Sequence, residues 1–77
     1  MTTTKSREQA MAAQIPTPSG NIAQSIFAKL ATHHYGQGHS GAEAIAFAEE
    51  QAIRLYPRNG FKPQFAPKAR TLPAERD

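Results

Sequence analysis

Six consecutive residues in the middle of the chain, Gly36-Gln37-Gly38-His39-Ser40-Gly41, carry the spacing G-x-G-x-x-G. Placed after a strand and opening a helix, such a loop lets backbone amides approach a pyrophosphate. Here a helical pattern precedes it, and no acidic residue stands about 20 positions on. A chain of 77 residues also has no room for a doubly wound sheet. The pattern therefore reads as a connection between two helices. Free amides at the start of the second helix keep a looser, anion-holding role open.

His33, His34 and His39, with Glu43 beyond them, are the residues a metal would want. Zinc needs three or four ligands converging tetrahedrally. Neighbouring histidines on a helix point about 100° apart, so His33 and His34 do not converge. The alternative is a helix C-terminus, where imidazolium favours the dipole and His34 packs on an apolar face. Ser40 follows His39, but it is better used as a helix cap, and no carboxylate is placed to orient the histidine. Glu49 and Glu50 are adjacent in sequence and diverge on a helix. No catalytic residue, metal ligand or cofactor is expected.

The C-terminal stretch 57–77 offers a different chemistry. Arg58, Lys62, Lys68 and Arg70 alternate with Phe61 and Phe65 among four prolines. Cations with interleaved aromatic rings can grip phosphates and stack bases. The same residues can lay phenylalanines into apolar grooves of a protein, with lysine and arginine on an acidic rim. The second reading is preferred, because four cations are few for a nucleic-acid grip.

The composition bounds what can position these groups. The chain has no cysteine and no tryptophan, 39% hydrophobic residues and a net charge of +3. Disulfides, thiol nucleophiles and cysteine-ligated zinc are excluded. No apolar run reaches bilayer length and no export signal is visible, so a cytoplasmic location is expected. The charge is uneven. Residues 1–18 carry Lys5 and Arg7 against Glu8, and residues 19–56 carry two cations against three glutamates. Five cations against Glu75 and Asp77 leave the excess on the tail.

The pattern predicts an all-α protein: an antiparallel two-helix hairpin, about 21–35 and about 41–56, between extended or disordered arms. In the first helix Asn21 is the N-cap, and Ile22, Ile26, Phe27 and Leu30 form the apolar face. Gly36 is placed to close it in a left-handed conformation. Ser40-Gly41-Ala42-Glu43 is a capping box for the second helix. Ile45, Ala48, Ala52, Leu55 and Tyr56 form its apolar face, Glu50 and Arg54 pair one turn apart, and Pro57 ends it. Residues 1–18 form a flexible arm: a capping box at Ser6 allows a short helix to about Gln14, too short to persist alone.

Phe47 and Ile53 break this scheme. Phe47 falls about 160° from Ile45 around the helix, and Ile53 lies on a flank. Either an arm covers Phe47, or both residues meet another chain. Two helices without a disulfide fall short of what independent stability usually requires. The expected function is that of a non-catalytic protein-binding module that blocks, bridges or stabilises a larger protein assembly, or self-associates. Its size and make-up suit an accessory or inhibitor protein of a phage or mobile element. The expected contact residues are Phe47, Ile53, Arg58, Phe61, Lys62, Phe65, Lys68 and Arg70. Nucleic-acid binding through the basic, aromatic C-terminal arm is the alternative.

Overall fold

The computed structural model describes residues 4–17, 20–57, 61 and 67–74. Among these the protein is all-helical, with α1 Thr4–Gln14, α2 Ile22–Gly36, α3 Gly41–Leu55 and a single 3-10 turn at Ala69–Thr71. None of these helices is long and apolar enough to cross a membrane.

Local chemistry accounts for the helix ends. Asn21 caps α2, its Oδ1 accepting from the Gln24 amide at 2.8 Å. Ser40 caps α3 through both halves of a capping box: its Oγ accepts from the Glu43 amide, and its own amide donates to Glu43 Oε1, each at 3.2 Å. These interactions satisfy amides that a helix start leaves without partners. The left-handed turn after α2 is made by Gly38, at φ 103°, whereas Gly36 is the last residue of the helix. On α3, Arg54 donates to Glu50 at 2.9 Å, as the spacing predicts.

Three helices replace the expected two-helix hairpin. The N-terminal segment, expected to be an arm, forms α1 and docks on α2 with Met11 and Ile15 buried. A helix of 11 residues is marginal alone, and tertiary burial compensates. Arg7 reaches the end of α2, while Ile15 shares a groove with Ala28, so α1 runs antiparallel to α2.

Adding α1 changes which side of α2 faces inward. The buried residues are Gln24, Phe27, Ala28, Ala31, Tyr35 and Gly36. Of the expected face Phe27 is buried, but the centre of the buried set lies nearly half a turn from Ile22, Ile26 and Leu30. A helix between two neighbours must offer small residues to both. Ala28 and Ala31 do so on α2, and Ala44, Ala48 and Ala52 make a buried ridge on α3. Ile22 is left 65% exposed as a consequence.

One side chain ties the three helices to the C-terminal segment. Arg7 is buried, and its Nε donates to the Tyr35 carbonyl at 2.7 Å. One terminal nitrogen reaches the His39 carbonyl at 2.8 Å and the Pro73 carbonyl at 3.5 Å. The guanidinium carbon lies 3.9 Å from the centre of the Tyr35 ring. No buried side-chain polar atom among the described residues lacks a hydrogen-bond partner.

The C-terminal segment closes on the start of α3. The Gly41 amide donates to the Leu72 carbonyl at 2.7 Å, and Ala69 is fully buried. Arg70 pairs with Glu49 of α3 at 2.5 Å. Residues 67–74 are thus a strap across the molecule, not a free arm.

Candidate functional site

Among the described residues, the large apolar side chains left exposed are Ile22, Phe47, Ile53 and Leu55. Phe47 and Ile53 have the exposure that the sequence suggested, 43% and 50%. They do not share one stripe, since six residues set them about 120° apart around α3. Phe47 lies on the α2 side. Its ring stacks on His34 with centroids 4.9 Å apart at 25°, and the His39 ring lies 5.7 Å away.

That stacking fixes the level of the two antiparallel helices. With His34 level with Phe47, successive turns bring Leu30 level with Gln51 and Ile26 level with Leu55. On α2, Ile22, Ile26 and Leu30 recur every fourth residue, away from the buried alanines. The face of the hairpin beside Phe47 carries the exposed Ile22 and the half-buried Ile26 and Leu30, the last packed against the core. Leu55, 58% exposed, stands at its open end. The sequence had assigned Ile22 and Leu55 to the interior. The signal that could have placed them outside was the count of alanines, which mark the close helix contacts.

The expected tail contacts divide. Phe61 is half-buried and packs on Phe27, ring centroids 5.5 Å apart, so it is not the unpartnered anchor the sequence implied. Arg70 is held by Glu49, and Lys68 is exposed. Arg58, Lys62 and Phe65 lie outside the described residues.

The other candidate chemistries find little support in the geometry. Neighbouring histidine rings lie 5.5 Å apart for His33 and His34 and 6.0 Å for His34 and His39. No group of three or more potential ligands among the described residues could hold a metal ion. At the start of α3 the Gly41 amide is taken by Leu72 and the Glu43 amide by Ser40, so the loop offers no nest of free amides. An open groove of about 330 Å³ between α1 and α2 is lined by Glu8, Ala12, Ile15, Lys29 and His33 among others. It holds one carboxylate and no second acid beside it.

His34 is the titrating group of the exposed face. Desolvation against its neighbours lowers its pKa, and the His33 and His39 rings lower it further. A histidine with a lowered native pKa binds a proton more readily when the chain is unfolded. Its contribution to stability is therefore complete above the unfolded value of about 6.5 and declines as pH falls through the lowered native value. Melting temperatures measured between about pH 8 and about pH 5 should fall with acidity, and His34→Gln should flatten that slope. An unchanged slope in the variant would assign the effect elsewhere.

No protein-family model, curated protein or solved structure matches this chain.

Proposed function

We propose that this protein is a small, non-catalytic protein-binding module whose working surface is the outer face of the α2–α3 hairpin. The observation that carries the reading is the exposure of Ile22, Phe47 and Leu55 on or beside that face. Burying large apolar side chains contributes about 1.5–3 kcal/mol each, so binding energy concentrates where they stand unused. Blocking, bridging or stabilising a larger assembly are all actions open to such a surface.

Nucleic-acid binding is less favoured: Arg70 is engaged with Glu49, and Phe61 packs on Phe27 instead of offering its ring to a base. Affinity capture from the native host, with nuclease and at two salt concentrations, tests the choice. A protein partner should survive both treatments and be lost with Phe47→Asp. Capture that vanishes with nuclease or moderate salt would favour the nucleic-acid reading.

A further inference from the structure

The groove of about 330 Å³ between α1 and α2 has the size at which small-molecule clefts begin. Glu8, Ala12 and Ile15 recur at helical spacing on the α1 wall. Ala28 and Thr32 stand one turn apart on the α2 wall, with Lys29 beside them. Ile15 and Ala28 are buried, so the floor is apolar. The polar groups above this floor are unengaged. Among the described residues neither Glu8 nor Lys29 joins an ion pair, and the Thr32 hydroxyl makes no hydrogen bond. Two opposite charges thus share one groove without meeting each other.

The order of these groups follows from the antiparallel helices. Arg7 lies level with Tyr35, and each step up α1 is a step down α2. Thr32 is then level with Ala10, and Lys29 with Ala13. A carboxylate, a hydroxyl and an ammonium therefore succeed one another over about 8 Å of the groove.

We propose that this groove binds a free dipeptide with small apolar side chains. This goes beyond the protein-binding reading and does not depend on it. Two extended residues span about 7 Å, which matches the spacing of the three groups. The ligand's ammonium meets Glu8, its peptide group meets the Thr32 hydroxyl, and its carboxylate meets Lys29. Its side chains lie on Ile15 and Ala28. A longer peptide would carry its carboxylate past Lys29, and an internal segment of a protein has neither charged end. Lys29 is exposed, so each ionic contact is weak alone and selectivity comes from requiring both.

Titration of the isotope-labelled full chain with alanyl-alanine, followed by amide NMR shifts, tests the site. Shifts should be confined to residues 8–16 and 28–33, with half-saturation at about 1 mM. N-acetyl-alanyl-alanine amide, which has the same body and no charged end, should bind at least about tenfold more weakly. Glu8→Lys and Lys29→Glu should each cost about tenfold in affinity. The double reversal should restore most of it, because the dipeptide can enter the other way round. Should either reversal lower the melting temperature, Glu8→Gln and Lys29→Gln carry the same comparison with smaller losses. No shifts at about 50 mM alanyl-alanine would overturn the proposal. So would shifts centred outside the groove, equal binding of the capped dipeptide, or a double reversal that restores nothing.

Discussion

Replacing Arg7 with alanine should destabilise the protein by about 3–5 kcal/mol, with loss of helical signal at moderate urea concentrations. Hydrogen bonds from a charged donor contribute about 1.5–3 kcal/mol each, and Arg7 makes two short ones, to the carbonyls of Tyr35 and His39. The Tyr35 carbonyl lies at the C-terminal end of α2, where the helix dipole also favours a cation. The Tyr35 ring below the guanidinium adds a cation–π contact. A chain of 77 residues has a total stability of about 4–12 kcal/mol, so the loss is a large share of the whole. Arg7→Lys should recover only part, because an ammonium lacks the planar fork that reaches both carbonyls. Lys5→Ala, at an exposed position on the same helix, should stay within about 0.5 kcal/mol of the parent. Equal effects at Lys5 and Arg7 would show that the guanidinium is not the tie between the helices.

What the sequence made legible was local. The caps at Asn21 and Ser40, the Glu50–Arg54 pair and the break at Pro57 each depend on residues within four positions of one another. What stayed hidden depends on partners far along the chain. Arg7 acts on Tyr35, His39 and Pro73, at separations of 28, 32 and 66 residues. Nothing in the local pattern distinguishes it from a solvated arginine. The same cause turned α2. Its strongest apolar stripe was read as the interior when two helices were assumed. With α1 present, the alanine side of α2 became the better contact, because small side chains allow two helices to approach at once.

The candidate surface shows the same division. The exposure of Phe47 and Ile53 was legible, because both break the helical period of α3. Ile22 and Leu55 obeyed that period and were therefore misplaced. Phe61, in a proline-rich segment without periodicity, gave no hint of its contact with Phe27. Hydrophobic periodicity reports that a stripe will be covered. It does not report whether the cover comes from the same chain or from another.

Gly41 gives the second large effect, and there two opposing contributions can be weighed. Alanine is favoured over glycine inside a helix by about 1 kcal/mol, so Gly41→Ala should stabilise α3 taken alone. The strap reverses the sign. A Cβ on Gly41 would overlap the carbonyl oxygen of Ala69 and press on its carbonyl carbon and on Leu72 Cβ, each 3.0 Å away. Backbone cannot swing aside as a flexible side chain can, so residues 69–72 must lift. Lifting them breaks the 2.7 Å bond from the Gly41 amide to the Leu72 carbonyl, exposes Ala69 and pulls on the Arg70–Glu49 pair. The lost bond and burial together contribute about 2–4 kcal/mol, more than the gain in propensity. Gly41→Ala should therefore lower the melting temperature by several degrees, about 4–8 °C for each kcal/mol at this chain length. It should also speed proteolysis near residues 67–74 while α1 remains protected, because the overlap lies on the strap and not on the α1–α2 contact. Ala42→Gly, at the exposed position one residue on, should show only the propensity loss and leave the strap protected. A more stable Gly41→Ala variant with an unchanged proteolytic pattern would mean that the strap does not close on α3.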